Sequence, residues 1–138
     1  MAFTGNFTCT VFKTGLLNGD YDFAVDTFKL ALYTNSATLN ADTTAYTASG
    51  EVTDAGYSAG GNTLTPTVGS SGGISFVTFA NTSWSGAITA RGALIYKSGS
   101  GNPAVCVLDF GSDKTSTTVF TVQFPSATNT SALIRLSS

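Results

Sequence analysis

The stretch from Ala90 to Gly111 constrains this chain more than any other. Two apolar runs of strand length, Ala90–Lys97 and Ala104–Gly111, flank Ser98-Gly-Ser-Gly-Asn-Pro103, a segment made only of turn formers. Gly99, Gly101 and Asn102 tolerate positive φ and Pro103 stops a helix, so the pattern predicts an antiparallel hairpin. In the first run Ile88, Ala90, Leu94 and Tyr96 share one face, with Arg91 and Lys97 on the other. The second run is apolar on both faces as far as Asp109, the pattern of a strand covered on both sides. This hairpin is therefore expected to form the core.

Around it the chain reads as short strands separated by Gly, Ser, Asn, Asp or Pro. Strands are expected at Phe28–Tyr33, Thr63–Val68, Ile74–Ala80, Ile88–Lys97, Ala104–Phe110, Thr118–Phe124 and Ala132–Leu136. Pro66 marks the second of these as an edge strand, because it cannot donate to a ladder on both sides. One short helix is expected near the N-terminus, where Phe7, Val11 and Leu16, with Phe12 and Leu17, approximate a helical stripe. Asn6 or Thr8 would cap its start and Gly19 would close it. Residues 1–5 read as an uncharged arm carrying Phe3. Residues 34–62 are poor in large aliphatics and read as a long loop anchored by Tyr46, Val52 and Tyr57, longer than a domain usually carries without purpose. The fold expected is a single all-β domain over residues 1–138, an antiparallel β-sandwich or jelly roll with one short N-terminal helix.

Composition narrows the partners. Charged residues make up only 10% of the chain against the usual quarter, and the net charge is −2. The cations Lys13, Lys29, Arg91, Lys97, Lys114 and Arg135 are scattered, so no basic patch for nucleic acid is expected. A surface so poor in charge is weakly guarded against association, which suits an assembly subunit. No apolar run reaches membrane-spanning length, and no basic-then-apolar leader is visible, so a soluble protein of a reducing compartment is expected. Cys9 and Cys106 do not make a disulfide framework; Cys106 lies among core residues, where a thiol acts as a small hydrophobe.

The residues offer little chemistry. The chain contains no histidine, which removes Ser–His and Cys–His nucleophile pairs and His-based metal sites. Asp109-Phe-Gly111 matches a kinase tripeptide, but it ends a strand in a chain without the accompanying kinase elements. Asp20, Asp22 and Asp26 fit either a solvated turn or an incomplete oxygen site for a cation. Gly60-Gly61 and Gly72-Gly73 lack the Lys-Ser or Lys-Thr of a phosphate loop. Trp84 either plugs one end of the sandwich or stands exposed as an interface or sugar-stacking anchor. No catalytic residue, cofactor or metal is expected, and the chain reads as a binding protein.

Three segments carry a resemblance. Phe28-Lys-Leu-Ala-Leu-Tyr-Thr-Asn-Ser-Ala-Thr-Leu-Asn40, continuing through Thr43-Thr-Ala-Tyr46, Gly50-Glu-Val52 and Gly56-Tyr-Ser-Ala-Gly-Gly61, is similar to a recurrent pattern in tailed-bacteriophage structural proteins. So are Ala90-Arg-Gly-Ala-Leu-Ile-Tyr96 and Val107-Leu-Asp-Phe-Gly-Ser-Asp-Lys114 with Phe120-Thr-Val-Gln-Phe-Pro125. In size and all-β character the chain most resembles head cement (decoration) proteins. That resemblance implies a homodimer, or another small oligomer, seated outside the capsid on the major capsid protein, assembled in the host cytoplasm and binding no nucleic acid or membrane. A tail or fibre component is the alternative within the virion; a carbohydrate-binding sandwich using Trp84 or Tyr57 is the alternative outside it. Phe3, Phe7, Tyr46 and Tyr57 are the expected partner contacts, the last two on the Thr34–Gly61 loop.

Overall fold

The computed structural model describes residues 3–137, and its centre is the expected hairpin. Strands β7 (Thr89–Lys97) and β8 (Ala104–Thr115) pair antiparallel, with Leu94 opposite Val107 and Ile95 opposite Cys106. Asn102 in the connection takes φ 43°, the left-handed conformation that its turn position predicts. β2 (Phe28–Tyr33) lies along the other side of β7, Phe28 opposite Lys97 and Tyr33 opposite Gly92. β1 (Phe7–Thr8) and β3 (Asn62–Leu64) complete a five-stranded antiparallel sheet in the order β1-β8-β7-β2-β3.

A three-stranded sheet has the order β10-β5-β4, from β4 (Pro66–Ser71), β5 (Ile74–Phe79) and β10 (Ile134–Leu136). β6 (Thr82–Ser85) and β9 (Val119–Val122) form a two-stranded ribbon. The result is a mostly antiparallel, all-β, sandwich-like fold with one short helix. Phe28, Leu30, Leu32, Leu94, Ile95, Val105 and Val107 are fully buried at its heart. Both faces of β2 and β7 are covered, so Arg91 is not on an open face. It is buried, paired with Asp109, and lies 5.5 Å from the centroid of the Phe3 ring. The hydrogen bond from Arg91 holds the Asp109 carboxyl below its usual range.

Three sequence readings are revised here. The run read as one strand from Thr63 to Val68 is two strands in different sheets, β3 and β4, parted at Thr65; Pro66 does begin an edge strand. Helix α1 (Thr10–Asn18) starts after Cys9, which caps it with backbone alone, so neither Asn6 nor Thr8 is its cap. Phe7 lies in β1, and Leu17 is exposed where the stripe placed it inward. Gly19 closes the helix in the left-handed conformation (φ 79°), as its position predicts.

The N-terminal arm also differs from its expectation. Phe3 is buried within its own chain, its ring occupying the space a side chain at position 92 would need. A Gly92→Ala variant sets its Cβ against both Phe3 and the Leu108 carbonyl. It is expected to lose about 1–3 kcal/mol by equilibrium urea unfolding, the usual cost of overpacking.

Candidate interaction surface

Two arrangements stand out: a buried polar cluster that fastens the long loop, and an apolar cleft that nothing in the described chain covers. The cluster is built on Glu51, which is only 7% exposed. Tyr46 donates its hydroxyl to Glu51 Oε1 (2.6 Å), and Tyr57 donates to Oε2 (2.5 Å). The Gly60 N–H also donates to Oε2 (2.8 Å). Tyr57 Oη in turn accepts the Leu32 amide (2.9 Å), and Tyr96 donates to the Gly60 carbonyl (2.7 Å). One carboxylate thus joins three points of the loop to strands β2 and β7. Single bridges, Tyr33 with Glu51 and Ala45 with Pro103, add backbone attachment. The tyrosines resist ionisation: burial, and then the hydrogen bond to Glu51, raises Tyr57 well above its ordinary value, and Tyr46 is raised by the same causes.

The residues expected at a partner interface therefore work largely inside this molecule. Phe3 and Tyr57 are buried, and Phe7 and Tyr46 are half-buried against the core. Trp84 is buried beside Tyr57, ring centroids 5.8 Å apart, and beside Phe120 at 6.4 Å. It fills the interior, and neither Trp84 nor Tyr57 offers an open ring face to a sugar. Asp22 and Asp26 organise their own turn: Asp22 Oδ1 accepts the Ala24 amide and Asp26 Oδ2 accepts the Asp22 amide. Lys97 Nζ, 3.4 Å from Asp26 Oδ2, donates to the Asp20 carbonyl. Among the described residues no three His, Cys, Asp or Glu side chains converge as metal ligands do. Cys9 and Cys106 are both buried free thiols.

The cleft lies between α1 and the three-stranded sheet. Phe12 on α1 meets Tyr21 edge-on at 4.9 Å, and Phe23 stacks on Phe28 at 4.5 Å. Beside these aromatics, residues of α1, β4, β5 and β10 border an open cleft of about 180 Å³. Its walls include Phe12, Leu16, Phe23, Val68, Ile134 and Leu136, and no charged residue lines it. A second depression, bordered by Pro66, Tyr21 and Asp22, shares Phe23 and Val68 with the first. Val68 is 61% exposed and Leu136 54%. Leu17 (89%) neighbours the wall residue Leu16 in sequence, and Val25 (76%) follows Ala24 of the second depression. Single exposed apolar residues are ordinary, but Val68 and Leu136 together on the wall of an uncharged hollow have the form of a docking surface.

Sequence reading missed this surface. Its residues come from five separated segments, each of which looks like ordinary core pattern, and only the assembled fold leaves them uncovered. No protein-family model matches this chain, and no curated protein or solved structure is significantly similar to it.

Proposed function

We propose that this protein is a structural subunit of a tailed-bacteriophage particle, a cement protein that binds the major capsid protein on the outside of the head and stabilises the lattice. The observation that carries the reading is the uncharged cleft walled in part by exposed Val68 and Leu136, joined to the resemblance along most of the sequence. A cement subunit acts by adhesion alone. It needs apolar surface to bury, little charge to desolvate, and several copies so that modest contacts add up through effective concentration. The sandwich-like core supplies rigidity, and Glu51 fastens the long loop to it.

The test is occupancy on purified heads. Val68→Asp and Leu136→Asp alter exposed positions, so each is expected to leave stability within about 0.5 kcal/mol. Each is expected to weaken head binding by about tenfold or more, because a carboxylate must be desolvated against an apolar partner. Unchanged occupancy in both variants removes the cleft from the account. Copy number separates head from tail: a lattice protein is present in roughly hundreds of copies, whereas most tail parts number a few dozen or fewer.

A further inference from the structure

The two-stranded ribbon is a continuation of the central hairpin. The pairs Ala90–Lys114 and Thr89–Thr115 of β7 and β8 run in the same register as Ser85–Val119 and Thr82–Val122 of β6 and β9. Hydrogen bonds from Ser116 N to Ile88 O and from Gly86 N to Thr118 O (2.7 Å) bridge the bend between them. The Gly86–Thr118 bond fixes the phase of the ladder, because antiparallel pairs alternate between bonded and non-bonded. Phe120 and Val122 turn their backbone groups toward β6, and Phe124 N reaches Asn81 Oδ1 on the same side. Val119, Thr121 and Gln123 consequently direct their N–H and C=O groups away from β6. Along that side runs an open groove of about 510 Å³, lined by Phe110, Lys114, Thr121 and Gln123 among others.

The other sheet edges are guarded or covered in the ways proteins usually manage them. β1 is two residues long and β3 three. β4 opens on Pro66, and β10 is three residues long and carries Arg135. β6 is held toward β3 by the Asn62 side chain, which donates to Thr82 Oγ1 and Ser83 O. β9 itself carries none of these devices, and the charge nearest its outer edge is Lys114 of β8, which lines the groove beside it. No described strand pairs with its outer edge, and the sequence has no charged residue between Lys114 and Arg135.

We propose that the outer edge of β9 pairs with the same edge of a second copy of this chain, forming a two-fold antiparallel β9–β9 junction centred on Thr121. The geometry is self-complementary. Rotation about Thr121 places Val119 opposite Gln123, and each outward N–H meets an outward C=O of the counterpart strand. Closed two-fold pairing consumes both edges, so assembly stops at two. The residues of β9 itself are uncharged, so Val119 and Thr121 meet their twins without like-charge repulsion from within the strand, and β-branched residues suit the ladder. This deepens the assembly reading, on which it rests by naming how subunits pair; it needs no capsid partner to be tested.

Analytical ultracentrifugation of the pure protein, with amide hydrogen exchange followed by NMR, tests the junction. The wild type is expected to sediment as a dimer, with Val119 and Thr121 amides protected along with those of Phe120 and Val122. Thr121→Lys puts two ammonium groups face to face at the two-fold and is expected to raise the dissociation constant about a hundredfold. In the resulting monomer Phe120 and Val122 stay protected by β6 while Val119 and Thr121 exchange freely. Ser83→Lys, exposed and directly across the same ladder, is expected to remain dimeric. The junction is overturned by a monomeric wild type, by larger open polymers, by a Thr121→Lys dimer of unchanged affinity, or by a dimer whose Val119 and Thr121 amides are unprotected. Head occupancy reports separately on the cement reading, so either can fail alone.

Discussion

Raising the pH is expected to unfold this protein cooperatively, with a midpoint at about pH 11 at room temperature. The cause is a set of acids that folding keeps neutral. Burial pushes the Cys9 thiol from 9.0 up to about 11 and raises Cys106 further. Burial likewise lifts Tyr33 and Tyr57 far above 10.0, and Tyr21 to about 12. The sign follows from proton counts. Below the unfolded values near 9 for thiols and 10 for phenols, both states carry the same protons and the full stability is present. Above them the unfolded chain releases protons that the folded chain retains, so stability falls with rising pH until the folded groups also ionise. Each group removes about 1.4 kcal/mol per pH unit, so the two thiols set a slope near 3 and Tyr33 and Tyr57 roughly double it above pH 10. A fold of ordinary stability, about 5–15 kcal/mol, is exhausted within a few units. Far-ultraviolet circular dichroism and tyrosinate absorbance should change together in one step. Smooth phenol titration around pH 10 with the sheet signal intact would contradict the burial of these rings.

How much of this was written visibly in the sequence depends on the range of the interactions involved. The hairpin was legible because two long apolar runs and a turn of Gly, Asn and Pro are local signals, and β2 and the Gly19 helix stop were legible for the same reason. β6 was not, because Thr82-Ser-Trp-Ser85 sits in turn-like composition and becomes a strand only through β9, far along the chain. The polar end of β8 was missed in the same way: Gly111–Thr115 has no hydrophobic pattern, yet Lys114 and Thr115 continue the ladder to Ala90 and Thr89. Phe3 looked like a free arm because nothing local says that Gly92 leaves a slot for its ring. Of the four aromatics expected at an interface, Tyr46 and Tyr57 were correctly seen as loop anchors. Their shared carboxylate was not, since a lone Glu in a Thr-rich loop looks solvated until the fold brings Gly60 and Tyr57 to it. The apolar cleft has no sequence signature at all, because core and interface residues share one composition.

Glu51→Ala is expected to cost about 3–5 kcal/mol, because it strands two buried donors, the Tyr57 hydroxyl and the Gly60 amide, in addition to opening a void. For a domain of this size that lowers the melting temperature by roughly 10–20 °C. Tyr46 loses less, being half-buried and able to turn toward water. Glu51→Gln is the discriminating partner variant. Its carbonyl oxygen can keep the bonds from Tyr57 and Gly60, while its amide donates to the Tyr46 oxygen, so the loss should stay at about 1 kcal/mol or below. A large Ala effect with a small Gln effect identifies hydrogen-bond satisfaction as the role of this side chain; equal losses would mean that the loop is held by something else. The same pair of variants divides two ideas about binding. If the proposed cement role is carried by the apolar cleft, Glu51→Ala kept cool enough to stay folded should still bind heads even as the loop around Tyr46 and Tyr57 loosens. If partners grip the loop, occupancy should fall with loop order while Val68→Asp and Leu136→Asp bind normally. For the proposed cement role the cleft is the better site on physical grounds, because the loop's aromatic rings and its carboxylate are already consumed in holding the loop to the sheet, whereas the side chains of Val68 and Leu136 remain largely exposed.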